Sequence, residues 1–216
     1  NQFENKIAVC GCHGKTTTSS LLVYALNRLN QKPSYLVGVP FFTGYQGGDF
    51  QSKEYFVVEA DEYGVNPPVD KTPKFHLLNP NYIIATNIDF DHPDVYKDIE
   101  ETKEAFLKFF SNNNLKTIVP RLLFCLDDKN LINVANKLSR NRYITYGFSN
   151  EADYQIIEPK TNETGSSFKI NNHQYKTSLY GEKNISNTAA VISFLLHLGF
   201  AQDKIKDAIV GFTGAE

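Results

Sequence analysis

Six residues near the amino terminus, Gly11-Cys12-His13-Gly14-Lys15-Thr16, constrain the fold more than any other part of the 216-residue chain. A short apolar run, Ile7 to Cys10, leads into them, and Leu22, Ala25, Leu26 and Leu29 follow at helical spacing. The pattern predicts a strand, a tight glycine turn and a helix. At such a junction the backbone amides of Gly11, Cys12, His13 and Gly14 can turn toward an anion, and the helix start, with Thr17 in its first turn, adds its positive dipole end. Lys15 can reach the outer phosphates of a nucleotide, and Thr16 can offer its hydroxyl to Mg²⁺. The loop is shorter than the G-x-x-x-x-G-K-[ST] pattern, since Val9 stands where the first glycine would be. That departure argues against an ordinary ATPase of the P-loop class.

Further along, Tyr55 to Val58 and Tyr82 to Ala85 are short runs rich in aromatic and β-branched residues, each ending in polar residues, as buried parallel strands do. Asp98 followed by Glu101 reads as a capping pair, with Ile99, Ala105, Phe106, Phe109 and Phe110 as the apolar face of a helix that breaks at Asn112 to Asn114. Thr117 to Val119, a short helix near Asn130 to Leu138, and Tyr143 to Tyr146 continue the alternation. The economical topology is an α/β fold, a mostly parallel sheet flanked by helices. From about 152 to 180 the texture changes to short alternating runs, Tyr154 to Ile157, Phe168 to Ile170 and Tyr175 to Leu179, with Asn171-Asn172 as a turn, which predicts a small antiparallel β appendage. Asn184 to Leu198, with Gly199 behind it, and Asp203 to Val210 read as two closing helices.

Composition narrows the partners. With 41% apolar residues the chain can bury a substantial core. Lys and Arg total 22 against 24 Asp and Glu, so there is no basic field to hold a nucleic acid. No run approaches a membrane span, and the first residues lack the pattern of a signal peptide. Cys10, Cys12 and Cys125 form no CxxC pair or framework, which fits packed free thiols in a reducing cytoplasm.

Two clusters join the loop at the same predicted sheet edge. Glu59-Ala60-Asp61-Glu62 follows the second strand, and adjacent acids there can reach a nucleotide-bound metal from across the phosphates. Asn87-Ile88-Asp89-Phe90-Asp91-His92 follows the third. A lone His92 would be more often structural, but its place beside the other two motifs makes it a candidate ligand.

Taken together, GCHGKTTT, FVVEADEY, ATNIDFDHPDVY, ITYGFS and GEKNISNTAA occur in the order and approximate spacing of the central domain of the Mur ligase family, and the chain resembles that family over essentially its whole length. The likeness is greatest to the alanine-adding branch. It implies that ATP phosphorylates a carboxylate of UDP-N-acetylmuramate and that the amine of L-alanine displaces phosphate to leave an amide. Carried over by motif, Lys15 holds the phosphates, Thr16 and Glu59 one Mg²⁺, and His92 a second metal that bridges to the substrate carboxylate. Mn²⁺ is expected to substitute for Mg²⁺ because histidine is an unusual Mg²⁺ ligand. Asn184 and Asn187 would face the adenine. His13 is similar to the residue of the alanine-adding members, without an assigned role.

Two residues depart from the family pattern. Lys183 stands where histidine is usual, which bears on base recognition, and Cys12 stands where threonine is common. The stretch Gly64 to Pro80, and EADEY followed by DKTPKF, also resemble the muropeptide-recycling branch, so the residues leave the amine open between the two. A folylpolyglutamate-type ligase, a kinase-like P-loop protein and a non-catalytic nucleotide-binding module are the other readings. His13 and DFDHPD speak against the first two of these, and the joint presence of Lys15, Thr16, Glu59 and His92 against the third. The resemblance implies that residues 1–216 are one domain of three, with the UDP-sugar and amino-acid domains outside it. The isolated chain is therefore expected to fold and bind nucleotide but not to ligate.

Overall fold

A computed structural model describes residues 2–112 and 119–215. Its centre is a ten-stranded sheet ordered β12-β11-β10-β9-β8-β7-β1-β4-β2-β3. The first strands are β1 (Asn5–Cys10), β2 (Ser34–Phe42), β3 (Tyr45–Asp49) and β4 (Tyr55–Glu59). The strands β7 (Tyr82–Ala85), β8 (Leu122–Cys125), β9 (Tyr143–Gly147) and β10 (Tyr154–Asn162) continue it, and β2 through β10 in sheet order pair in parallel. At one end β3 folds back on β2 through Thr43 and Gly44, both at positive φ, as a two-residue hairpin turn requires. At the other end β11 (Gly165–Ile170) and β12 (His173–Thr177) form an antiparallel meander with β10.

The antiparallel region expected at about 152–180 is thus present, and it extends the main sheet, because β10 pairs with β9 at Tyr154 opposite Tyr146 and Gln155 opposite Gly147. Asn171 and Asn172 both sit at positive φ and make its tight turn. A separate two-stranded ladder, β5 (Gly64–Asn66) with β6 (Asp70–Pro73), projects after β4.

The helices gather into two groups. Helix α1 (Lys15–Arg28) packs against α4 (Glu182–His197) and α5 (Gln202–Ile209), and α2 (Ile99–Phe110) against α3 (Lys129–Ala135). Every residue of β8 is buried, which requires cover on both sheet faces, and β8 touches a helix of each group, α4 and α3. The Asp98 cap is as read, its carboxylate accepting from Glu101 N at 2.9 Å. Phe106, Phe109 and Phe110 of α2 are buried, with Phe110 against Phe124 of β8. The strand expected at Thr117 to Val119 falls, at Thr117 and Ile118, outside the described residues, and the strand at that place in the order is β8.

β1 lies between β7 and β4, so the carboxyl ends of three parallel strands meet at one edge. The loops that leave them carry the three motifs.

Candidate nucleotide and metal site

Helix α1 begins directly behind Gly14, which holds a left-handed conformation at φ 83° and leaves the first-turn amides of Lys15, Thr16 and Thr17 without intrahelical partners. The glycines are needed where they stand. A Cβ on Gly11 would collide with Thr86 Oγ1, and one on Gly14 would lie 2.5 Å from Asn187 Oδ1. Thr86 and Asn87, at the end of β7, brace the loop: both donate to the His13 carbonyl at 2.7 Å, and Asn87 Oδ1 accepts from His13 N at 2.9 Å. His13 points its ring outward to Asp89 at 3.6 Å. Cys12 exchanges hydrogen bonds with the backbone of Asp89, and burial pushes its thiol up to about 12, so it acts as packing and not as a nucleophile.

Thr16 Oγ1 donates to Glu59 Oε1 at 3.0 Å, and Glu59 Oε2 accepts from Gly38 N at 2.9 Å. The hydroxyl and the carboxylate that the resemblance assigns to one cation are therefore adjacent. Gly38 is close because β2 runs beside β4, and a side chain there would press on the Glu59 carboxylate at 2.8 Å.

His92 does not share that carboxylate. Its Nε2 lies 3.5 Å from Glu62 and 3.8 Å from Asp91, and a ligand atom from each of the three residues falls within 4.8 Å of the others. Two carboxylates and an imidazole suit a hard or borderline divalent cation. His92 is held at φ 59°, a conformation rare outside glycine, and it packs edge-on against Tyr63, whose hydroxyl donates to Asp94 at 2.7 Å.

Glu62 is the residue whose role the sequence did not reveal. It is buried, it accepts from Lys15 Nζ at 2.9 and 2.8 Å, and it faces His92. Burial works against the Lys15 charge, but the Glu62 carboxylate more than offsets it and raises the ammonium above its ordinary value. Asp61 turns the other way, to Lys74 at 2.9 Å and to Tyr63 N at 3.1 Å.

Lys15, Glu59, Asp61, Glu62, Asp91 and His92 line one cleft of about 600 Å³, with Leu36 and Val37 on its rim. A second recess of about 280 Å³ opens on the other side of the loop, lined by His13, Gly14, Asn87, Asp128, Lys183 and Asn187 among others. Asn187 therefore stands where a base could follow from phosphates at the loop, with Lys183 at the same recess. Asn184 does not line it. Helix α4 starts at Glu182, so Asn184 falls in its first turn, and its amide donates back to the Tyr180 carbonyl at 3.0 Å.

A family model described as Mur ligase middle domain matches residues 9–195. The chain is 34% identical, over 100% of its length and 45% of the relative's, to UDP-N-acetylmuramate–L-alanine ligase of Lactobacillus johnsonii. It is 37% identical, over 99% of its length and 46% of the relative's, to the enzyme of the same name from Caldicellulosiruptor saccharolyticus. The chain thus spans under half the length of these relatives. Among solved structures it resembles UDP-N-acetylmuramate-alanine ligase from Thermotoga maritima, with TM-score 0.79 and 22% identity over 99% of this chain and 46% of that one. It also resembles UDP-N-acetylmuramate:L-alanyl-gamma-D-glutamyl-meso-diaminopimelate ligase from Neisseria meningitides, with TM-score 0.80 and 24% identity over 98% of this chain and 67% of that one. At these identities the two structures speak for the fold alone.

Proposed function

The chain belongs to the Mur ligase family, and from that premise we propose that it is the ATP-binding central domain of an enzyme that joins L-alanine to UDP-N-acetylmuramate. The observation that carries the proposal is the convergence of Lys15, Glu59 and His92, from three separate strand ends, on one cleft at the start of α1, with Thr16 hydrogen-bonded to Glu59. The relatives at 34% and 37% identity, which bear that activity in their names, support the choice of substrate. Their greater length supports a three-domain enzyme, in which the UDP-sugar and the amino acid are gripped by the domains on either side.

In this reading the first-turn amides of α1 and the Lys15 ammonium hold the β- and γ-phosphates of ATP, and Asn187 and Lys183 meet the adenine. Thr16 and Glu59 would hold one Mg²⁺, and His92, with Glu62 and Asp91, a second, for which Mn²⁺ is an alternative. Such cations, when bound, neutralise the charge that develops as the phosphoryl group passes to the muramyl carboxylate. The protein's own part is positioning: a braced loop, a fixed lysine and carboxylates already in place. The three cysteines are free, and among the described residues no helix is long and apolar enough to cross a membrane, both in keeping with a cytoplasmic enzyme.

The test is amide formation by the full-length enzyme with ATP, UDP-N-acetylmuramate and either L-alanine or the tripeptide L-alanyl-γ-D-glutamyl-meso-diaminopimelate. ATP-dependent product with L-alanine is expected. Product with the tripeptide alone would assign the enzyme to muropeptide recycling instead, and no product with either would refute the ligase reading.

A further inference from the structure

Lys15, as it stands, is not free to meet a phosphate. Both oxygens of Glu62 accept from its Nζ, at 2.9 and 2.8 Å, and the Glu62 side chain is 1% exposed while that of Lys15 is 13% exposed. The same carboxylate faces His92 Nε2 at 3.5 Å and shares with Asp91 and His92 a cluster of ligand atoms within 4.8 Å of one another. One buried carboxylate therefore has two claimants, the loop ammonium and a cation at that cluster. Two positive charges compete for it, and in a half-buried setting each weakens the other's hold.

Resting on the nucleotide reading above, we infer that Glu62 is a positioning residue that keeps Lys15 in reserve until a divalent cation engages its carboxylate, so that metal and nucleotide binding are coupled through one side chain. Without the cation, the cleft shows an arriving triphosphate three carboxylates, Glu59, Glu62 and Asp91, and an ammonium already paired. Once Glu62 turns to a cation, the Lys15 ammonium is released, on the first residue of α1, to meet phosphate at the helix start. Asp61 cannot take over as the lysine's keeper, because Lys74 and the Tyr63 amide already hold it on the outer side of the turn. Coupling of this kind is reciprocal, so nucleotide raises the affinity for metal by the factor that metal raises it for nucleotide.

The experiment is calorimetry of ATP binding to the wild-type full-length enzyme and to its Glu62→Gln variant, each with Mg²⁺ and with excess chelator. Glutamine keeps the volume of the side chain and removes its charge. The expected result is that Glu62→Gln binds ATP at least tenfold more tightly than wild type in chelator, while the gain on adding Mg²⁺ shrinks by at least tenfold. Unchanged or weaker binding in chelator would overturn the inference and leave an ordinary structural ion pair. Wild type that binds no ATP even with Mg²⁺ would instead overturn the nucleotide reading, and this inference with it.

A second measurement does not depend on the variant's folding. In wild type without nucleotide, the Lys15 ammonium, sheltered by its two bonds to Glu62, should give a sharp NMR signal that broadens when Mg²⁺ is added. A signal indifferent to Mg²⁺ at concentrations that support ATP binding would also overturn the coupling.

Discussion

Replacing Gly14 by alanine probes a place where the glycine loop meets the recess behind it. Two costs are readable from the structure. The first is backbone: Gly14 sits at φ 83°, and an L-residue there costs about 1–2 kcal/mol. The second is steric, since the new Cβ would fall 2.5 Å from Asn187 Oδ1 and 3.1 Å from its Cγ, so the buried amide must move, at about 1 kcal/mol for disturbed hydrogen bonding. The sum, about 2–3 kcal/mol, corresponds to a melting temperature lower by roughly 4–12 °C for a chain of this size. Gly199→Ala separates the two costs, because Gly199 has φ 87° and nothing within 4 Å of its would-be Cβ, so only the backbone term applies. The assay is thermal unfolding of Gly14→Ala, Gly199→Ala, Asn187→Ala and the double variant Gly14→Ala with Asn187→Ala. In the Asn187→Ala background the cost of Gly14→Ala should fall by about 1 kcal/mol, to that of Gly199→Ala. An equal cost in both backgrounds would refute the contact as the cause, and an unchanged melting temperature would refute the strained glycine itself.

Lys15→Ala should weaken ATP binding in the presence of Mg²⁺ by about 1–3 kcal/mol through loss of a charge-assisted contact, measured by calorimetry with far-ultraviolet circular dichroism to show the fold intact. In the full-length enzyme His92→Ala should lower kcat far more than it weakens ATP binding, since a cation at His92 acts on the second substrate; a loss of thermal stability that matches the loss of activity would mark His92 as structural. Asp153 gives a dependence on pH. Burial opposes its charge, but Thr145 N at 2.8 Å, Thr145 Oγ1 at 2.9 Å and Arg140 hold its carboxyl below the usual range. A lowered folded pKa means stability that is full above about pH 4 and is lost as pH falls through the folded value. Asp153→Asn should therefore flatten the acid limb of the stability curve below pH 4, and an acid limb identical to that of wild type would remove Asp153 from the account.

The sequence showed the central elements because their signals are local. A run of apolar residues that stops at a glycine marks β1 and the start of α1, and Asp98 announces α2 by a hydrogen bond three residues long. The hairpin of β2 and β3 gives no such signal: Gly38 and Pro40 interrupt the first strand, Gly47 and Gly48 the second, and the pairing shifts register between Leu36 and Phe41. β3 is the edge strand, and β2 pairs with β4 only from Ser34 to Leu36, so the interrupting residues fall where a ladder is missing on one side, which only the finished sheet shows.

The site divides in the same way. Thr16 beside Glu59 follows from two motifs at neighbouring strand ends, which spacing and topology already imply. Asp61 is held outward by Lys74 as well as by the neighbouring Tyr63 amide, and the Glu62 backbone by Tyr96, so the choice of which acid faces inward rests in part on residues from other segments. The setting of Asn184 was hidden for a related reason. The helix begins two residues earlier than its letters suggest, and the rotation that follows carries its amide back to Tyr180.

The sheet order gives the site a history as well as a shape. β1 precedes the other described strands, yet its neighbours β4 and β7 lie about fifty and seventy-five residues downstream, and Asn187, which Gly14 approaches, comes more than a hundred residues after that. Contacts so distant along the chain close late in folding. As this domain is synthesised, its phosphate loop is made before the brace at Asn87, the carboxylates at Glu59 and Glu62, and the wall at Asn187, which is complete only when most of the domain exists. A ligand that needs all of these recognises only finished molecules, and by mass action it stabilises those alone. Nucleotide would then serve this domain as an inspector of its own completion, drawing the last, slow closure of the sheet toward the native side without assisting any earlier step.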